Sequence, residues 1–394
     1  MAPDSTAGSS APRFTRRRGR RLLFLAWSLC WIAAAVVGLE VASRWWLKPW
    51  HQEIGSRHMQ PYFMSGGYYQ TPLGGARAEN VLLGPGGPET YGYRRDGSMY
   101  VFGFDEPVHS VADRGTFLFQ DRVALANAAP DPNSVRVFVL GGSSAYGVGA
   151  TQPDRRWYAV LERSLTESLG KRVDVIPAAM VGHVSTQERL ALELMVLPRQ
   201  PDAVVILDGW NDVALPALFG VRPGDPYDQG ILYGDFYSAF GGFRRGIARH
   251  SALARYLVHR SMARAVAARQ AELLASPERM AQYAASTASV YVDNLTRMLE
   301  RCGHQRLPCA AFLQPSRDVI TRGAEEDRRH ALIVASYAEI RARLRQTPPG
   351  ASARDLSELL PADLFVDDVH FNDEGHAAVA RAMQPVVLEL LRGS

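Results

Sequence analysis

Two serines follow the first strongly apolar run of the sequence. The run RVFVL at 136–140 has the composition of a buried strand, and Gly141, Gly142, Ser143 and Ser144 come directly after it. The glycines permit a tight turn that would bring a small hydroxyl to the edge of a sheet, near helix amides that stabilise negative charge. A serine placed there is a candidate nucleophile, although a GGSS turn alone is more typical of a phosphate cradle or of ordinary turn chemistry.

A histidine near the end of the chain could supply the base that a nucleophilic serine needs. His370 would take the hydroxyl proton near neutral pH, because an unperturbed imidazole has a pKa of about 6.5. Asp367 stands three residues earlier, where its carboxylate could hold the imidazole tautomer and stabilise the imidazolium. A lone DxxH segment is more typical of a surface pair, and Asp368 would compete with Asp367 only if the register slipped.

Two further residues could stabilise the negative charge that develops when a serine attacks an ester. Asn211, in the segment GWND, could donate from its side-chain amide to an oxyanion, and Gly182 could offer a backbone N–H to the same point. Each also has an ordinary interpretation, as a strand-ending turn and as the N-terminus of a helix. Their order along the chain, between the serines and His370, carries more information than either residue alone.

These candidates depend on a framework that brings the ends of distant strands together. Capping signals at STQE (185–188) and at Ser276 mark the starts of two helices. Alternation of strands and helices without hairpin signals indicates a parallel sheet with helices on both faces, and ligands of such sheets gather beyond the carboxyl ends of the strands. The predicted strands lie at 136–140, 173–178, 202–209 and 307–315, and the predicted helices at 154–170, 185 to about 197, 276–303 and about 372–391.

Taken in order, the four polar segments resemble the blocks of the SGNH hydrolases, also called GDSL esterases or lipases. The segments are GGSSAYG for GDSxxxG, VGHVST for the glycine block, GWND for GxND and DDVH for DxxH. The resemblance spans about residues 135–390. It implies a three-layer α/β sandwich with a central, mainly parallel sheet of the flavodoxin-like SGNH type, and an ester-bond hydrolase that uses no cofactor and no metal.

The resemblance also implies a role for each site residue. Ser143 would be the nucleophile, because the family motif places the serine directly after Gly-Asp, which leaves Ser144 as its neighbour. His370 would be the general base and then the acid, and Asp367 its orienting carboxylate. The oxyanion hole would consist of the backbone amides of Ser143 and Gly182 and the side chain of Asn211.

One departure from the family pattern falls within the nucleophile block. Gly142 stands where the family has an aspartate, so a carboxylate that would brace the turn is absent. GGS variants are familiar among bacterial members of the family. The departure removes no catalytic group.

The N-terminal segment predicts a membrane anchor. Residues 1–21 contain six arginines and one aspartate, and residues 22–39 contain no charge and no proline. As a helix this run would cover roughly 27 Å, close to a hydrocarbon core of about 30 Å. The basic flank predicts a cytoplasmic tail at 1–21, a transmembrane signal anchor at 22–43 and a catalytic domain in the periplasm or at the cell exterior. A cleaved signal peptide is the alternative, with VAS at 41–43 as a possible cleavage site.

The rest of the chain divides by composition. Residues 44–130 are predicted as an irregular juxtamembrane extension, and residues 131–394 as the SGNH hydrolase domain with a helical insertion at about 213–300. Cys302 and Cys309 favour a small-loop disulfide in an oxidising compartment, with two reduced buried cysteines as the alternative. Without the basic tail the net charge is about −1, which argues against a nucleic-acid partner.

The function predicted from these observations is an exported, membrane-anchored serine hydrolase. Its substrate would be a small ester or an acylated glycan, cleaved through an acyl-enzyme on Ser143. An O-acyltransferase that modifies a cell-envelope glycan, served by an acyl-donor partner in the membrane, would use the same site. A non-catalytic carbohydrate-binding or assembly protein on the same scaffold is the third hypothesis.

Overall fold

The computed structural model describes residues 14–46, 92–93, 99–100, 107–109, 122–179, 183–219, 222–224, 251, 253, 257, 264, 267–321, 327–346 and 353–393. The predicted extension at 44–130 and much of the predicted insertion at 213–300 lie outside these residues. Three short strands within the extension, β1 (Gly92–Tyr93), β2 (Met99–Tyr100) and β3 (Pro107–His109), pair as a small antiparallel sheet.

A long apolar helix, α1, runs from Phe14 to Trp46. Its part Arg20–Ser43 is the one stretch among the described residues that is long and apolar enough to cross a membrane, and it is not buried against the rest of the protein. A signal sequence has similar composition. The helix is therefore consistent with a membrane anchor or with a signal sequence.

The main fold alternates strands and helices. Strands β4 to β8 form one sheet in the order β5-β4-β6-β7-β8, in which every pairing is parallel. The predicted parallel α/β fold is confirmed. The elements in chain order are α2 (Val123–Asn127), β4 (Ser134–Gly141), α3 (Ser143–Tyr146), α4 (Trp157–Leu169), β5 (Arg172–Ala179), α5 (Ser185–Ala191), β6 (Ala203–Asp208), α6 (Trp210–Phe219), α7 (Pro277–His304), β7 (Cys309–Leu313), α8 (Arg317–Ile320), α9 (Arg328–Gln346), β8 (Ala353–Asp355) and α10 (Asp373–Arg392).

The sheet is covered on both faces because successive side chains of its central strands point to opposite sides. Phe138 and Leu140 of β4 belong to one apolar core, together with residues of α5, α7 and α9. Val137 and Val139 belong to a second core, together with residues of α4 and α10. The result is a three-layer arrangement with the sheet in the middle.

The predicted helix starts are partly right. Ser276 caps α7 by accepting a hydrogen bond from the N–H of Arg279 at 3.3 Å, as predicted. The predicted capping box at 185–188 is displaced by one residue: the N-cap is Val184, whose backbone N–H donates to the side chain of Gln187, not Glu188, at 3.0 Å. Ser185 is the first residue of α5, and its amide and hydroxyl donate to Asp212 at 2.8 and 2.6 Å. The start of α5 is therefore held by Gln187 within the helix and by a buried carboxylate from α6.

A disulfide joins the end of α7 to the start of β7. It links Cys302 to Cys309, seven positions apart. Cys302 packs in the core beside α9, and Cys309 is the first residue of β7. The bond therefore closes the turn that leads from the long helix back into the sheet.

Candidate active site

The described site candidates lie beyond the carboxyl ends of the strands. Ser143 is the first residue of α3, two positions after the end of β4. Asn211 lies in the first turn of α6, directly after β6. Asp367 and His370 lie between a 3-10 helix at Ala362–Leu364 and the start of α10. Gly182 lies outside the described residues.

Ser143, His370 and Asp367 are joined by two short hydrogen bonds. The Oγ of Ser143 lies 2.7 Å from Nε2 of His370, and Nδ1 of the same ring lies 2.6 Å from Oδ2 of Asp367. A carboxylate only accepts hydrogen bonds, so the ring proton belongs on Nδ1. Nε2 then has a lone pair directed at the hydroxyl of Ser143, and the arrangement is able to transfer a proton from Ser143 to His370.

The carboxylate of Asp367 is held in its ionised form. Burial alone would raise the pKa of Asp367, but hydrogen bonds and charge from His370, with backbone N–H groups, lower it below its ordinary value. The second oxygen, Oδ1, accepts from the backbone N–H of Val369 at 2.9 Å and of His370 at 2.8 Å. The side chain of Asp367 is 51% exposed, whereas that of His370 is 18% exposed. Solvent therefore weakens the pairing of the carboxylate without reaching most of the imidazole.

The two glycines before Ser143 lie close to neighbouring atoms. Gly141 has φ +153°, and an added Cβ would lie 2.3 Å from the carbonyl oxygen of Leu207. An added Cβ at Gly142 would lie 2.3 Å from Nδ2 of Asn211. That amide nitrogen donates to the backbone oxygen of His183 at 2.7 Å. Gly142 thus leaves room for the amide of Asn211 at the edge of the turn.

Ser144 and Asp368 occupy places different from those of Ser143 and Asp367. Ser144 is 1% exposed, and its Oγ donates to the carbonyl oxygen of Val369 at 3.1 Å. Asp368 is exposed, and its carbonyl oxygen accepts from the N–H of Arg317 at 3.0 Å. The imidazole of His370 pairs with Asp367. Neither alternative therefore makes the contacts that join the three residues above.

Three buried carboxyl groups lie under the segment that carries Asn211. Glu188, Asp208 and Asp212 are at most 1% exposed. Burial is the largest cause that raises the pKa of each, and for Glu188 and Asp208 neighbouring carboxyl groups raise it further. Burial and the neighbouring carboxyl groups thus favour the protonated forms of Glu188 and Asp208.

The sequence interpretation missed this carboxyl cluster and the contacts of Ser144. A signal was present for Glu188, which shares the buried face of α5 with Ala191 and Leu192 at helical spacing. No comparable signal marks Ser144, because its partner Val369 is 225 positions away. Among the described residues, no group of three or more His, Cys, Asp or Glu side chains is arranged to hold a metal ion.

Comparisons with known proteins agree with this architecture. The model of the GDSL-like Lipase/Acylhydrolase family matches residues 139–378. The chain is 33% identical over 93 residues to the GDSL-like esterase Rv1075c of Mycobacterium tuberculosis, a match that covers 23% of this chain and 29% of the esterase. The chain thus matches less than a third of the length of that relative.

Two hydrolases are among the solved structures to which the chain is similar. One is the acetyl xylan esterase AlAXEase, with 17% identity, a TM-score of 0.40, and coverage of 64% of this chain and 100% of that protein. The other is a lipase/acylhydrolase from Enterococcus faecalis, with 18% identity, a TM-score of 0.36, and coverage of 64% of this chain and 96% of that protein.

Proposed function

We propose that this chain, which belongs to the GDSL-like lipase/acylhydrolase family, is an ester-bond hydrolase that cleaves carboxylic esters through an acyl-enzyme formed on Ser143. The observation that carries the proposal is the 2.7 Å contact between Ser143 Oγ and His370 Nε2, with Asp367 at 2.6 Å on the other ring nitrogen. A serine hydroxyl becomes a useful nucleophile only when a positioned base accepts its proton. These contacts give Ser143 such a base.

The proposed reaction has two halves that use the same proton carrier. Ser143 Oγ attacks the ester carbonyl while its proton passes to His370 Nε2, and the tetrahedral intermediate collapses as the imidazolium returns that proton to the departing alcohol. Water then attacks the acyl-enzyme, with His370 again taking and returning the proton. Asp367 keeps its negative charge throughout and stabilises the imidazolium.

The oxyanion of each tetrahedral intermediate would form beside Asn211. The side-chain amide carries two N–H groups, and one donates to His183 O at 2.7 Å. We assign the other N–H to the oxyanion, together with the backbone amides of Ser143 and Gly182. Each such donor typically contributes a factor of ~10²–10³ to the rate.

We further propose that the enzyme is exported and anchored by residues 22–43, with residues 1–21 in the cytoplasm and the hydrolase domain at 131–394 outside it. The apolar helix Arg20–Ser43 and the arginines before it support this topology. A disulfide is also typical of an oxidising compartment. Protease added to intact spheroplasts should degrade the hydrolase domain. In untreated cells the domain should be found in the membrane fraction. Release into the soluble fraction would instead indicate a cleaved signal sequence.

The experiment that tests the nucleophile is labelling of the full chain with a serine-reactive fluorophosphonate, followed by peptide mapping. The label should appear on Ser143, and Ser143→Ala should neither label nor hydrolyse a short-chain ester. Ser336→Ala, a buried serine on α9, is the matched control and should behave as wild type.

Product analysis with a small ester or an acylated glycan then identifies the acyl acceptor. Release of free acid is expected for a hydrolase, and transfer of the acyl group to a glycan hydroxyl would indicate the transferase. Absence of both labelling and hydrolysis would favour a non-catalytic binding protein.

A further inference from the structure

The second serine of the GGSS turn contacts the segment that carries the base. Ser144 Oγ donates to the carbonyl oxygen of Val369 at 3.1 Å, across 225 positions of the chain. That carbonyl belongs to the peptide group whose N–H is that of His370. Ser144 is 1% exposed, so bulk water does not compete for this hydrogen bond.

The base segment, residues 365–371, is partly exposed to solvent, so its place depends on its contacts with other elements, which include the N–H of Arg317 on the carbonyl oxygen of Asp368 at 3.0 Å. Residues 366–368 are exposed, and the segment is closed as a narrow turn by the pairing of Phe365 with Phe371. Hydrogen bonds within the turn, such as that from the His370 N–H to Asp367 Oδ1 at 2.8 Å, define its shape. They do not determine how far His370 lies from Ser143, which belongs to a different element.

The contacts of Ser144 Oγ determine which group accepts its hydroxyl proton. Gln314, at the end of β7, donates from Nε2 to Ser144 Oγ at 3.4 Å. A hydroxyl carries a single proton, and the Gln314 contact uses the oxygen as an acceptor, so the proton is directed to Val369. The backbone of the turn is held as well, because Trp157 Nε1 donates to Ser144 O at 3.0 Å. Ser144 is therefore held in a fixed position, and its hydroxyl can hold the base segment in place.

We propose that Ser144 is a positioning residue that sets the distance between His370 and Ser143. Adjacent residues of α3 make the two contacts: Ser143 bonds the imidazole, and Ser144 bonds the peptide group that precedes it. The inference rests on the proposed function, since it takes His370 as the base for Ser143. Without the Ser144 hydroxyl the base segment keeps its internal shape and the hydrogen bond from Arg317, but it loses the bond that ties the peptide group before His370 to the nucleophile turn.

The test compares Ser144→Ala with Ser336→Ala in the full chain. Ser336 is also 1% exposed, and its hydroxyl donates to Leu332 O at 2.8 Å within α9, outside the candidate site. Active sites are counted by fluorophosphonate labelling, so kcat refers to folded enzyme only. Ser144→Ala should lower kcat by roughly 10- to 100-fold, because a misplacement of about 1 Å costs on the order of 10²-fold. Its KM for a short-chain ester should stay within about twofold of wild type.

Two further measurements separate positioning from general stability. The acid limb of the pH–rate profile should not move in Ser144→Ala, because the pair formed by Asp367 and His370 lies within one segment and stays intact. Ser144→Cys fills the same space with a weaker donor and should also lower kcat, which repeats the test without a void. Ser336→Ala should leave kcat within about twofold of wild type.

The outcomes distinguish this inference from the proposed function. An unchanged kcat in Ser144→Ala, alongside an inactive Ser143→Ala, would overturn the positioning role alone. Full activity in Ser143→Ala would overturn the nucleophile assignment and the positioning role with it. A loss that appears only as fewer labelled sites, with normal kcat per site, would show that Ser144 acts on stability and would refute the inference.

Discussion

Substitution of Gly142 by alanine should displace the side chain of Asn211. The added Cβ would lie 2.3 Å from Nδ2 and 3.4 Å from Cγ of Asn211, so the contact falls on the amide nitrogen itself. Nδ2 would have to move by roughly 1 Å to reach an ordinary contact distance. Movement by that amount also stretches the 2.7 Å hydrogen bond from Asn211 to His183 O.

The size of the effect follows from the proposed role of that amide. Loss of one oxyanion donor lowers kcat by ~10²–10³-fold, and a displacement of about 1 Å lowers it by a similar factor. We therefore expect Gly142→Ala to lower kcat by ~10²-fold, equivalent to about 2.7 kcal/mol of transition-state stabilisation. Asn211→Ala should lower kcat by at least as much, because it removes the amide.

A double-mutant cycle measures whether the two substitutions act through one group. Steady-state hydrolysis of a short-chain ester is measured for both single variants and the double variant, with active sites counted by fluorophosphonate labelling. In the Asn211→Ala background, Gly142→Ala should change kcat by less than about threefold, since no amide remains to be displaced. Gly303→Ala is the control, because an added Cβ there meets no atom within 4 Å.

Two results would refute this reasoning. A Gly142→Ala variant with wild-type kcat would show that the turn accommodates a side chain without moving Asn211. Equal losses for Gly142→Ala in both backgrounds would show that the substitution acts on the turn itself, through Ser143, and not through the amide.

Three other substitutions are predicted to change stability or rate. Burial raises the pKa of Glu188, so the folded chain keeps a proton that the unfolded chain loses above about pH 4. The free energy of unfolding should therefore fall as pH rises from about 4, until the carboxyl group of the folded chain also ionises. Glu188→Gln should reduce that slope by up to about 1.4 kcal/mol per pH unit in urea titrations between pH 5 and 8, and identical slopes would contradict a buried proton on Glu188. Asp367→Asn should lower kcat by roughly 10²-fold or more, because an amide that donates to Nδ1 favours the wrong tautomer, and little change in the pH–rate profile would contradict this role. Replacement of both Cys302 and Cys309 by serine should lower the free energy of unfolding by about 2–3 kcal/mol, the value typical of a disulfide that closes a short loop. The kcat should not change. A lower kcat per labelled site would show that the disulfide does more than stabilise the fold.

The central strands were predictable because their information is local. The run at 136–140 is apolar at every position except Arg136, as expected for a strand buried on both faces, and it lies within β4. The start of α10 was equally local, since Asn372 caps the helix by accepting from the N–H of Gly375 at 2.9 Å. Residues that interact within one turn leave a pattern that a single sequence shows.

Other elements were missed because their stability comes from distant partners. Strand β8 has three residues, partly exposed, and pairs only with β7 at the edge of the sheet. Helix α9 is rich in arginine, and its inward residues Leu332, Tyr337 and Ile340 are separated by polar positions that weaken the apolar pattern. Ser185 was assigned as the N-cap of α5, whereas the N-cap is Val184 and the hydroxyl of Ser185 donates to Asp212, 27 positions away. In each case the deciding contact joins segments that no local pattern connects.

The turn at 141–144 shows why the candidate site could be located from the sequence although its geometry could not. Each of its four residues lies against a different downstream group: Gly141 the backbone of β6, Gly142 the amide of Asn211, Ser143 the imidazole of His370, and Ser144 the peptide group before it. The sequence shows that the turn is tight and polar, which is enough to locate the site. The separate duty of each residue is visible only when the downstream segments are in place. Substitutions at neighbouring positions of this turn should therefore impair different functions: oxyanion binding at Gly142, nucleophilic attack at Ser143, and placement of the base at Ser144.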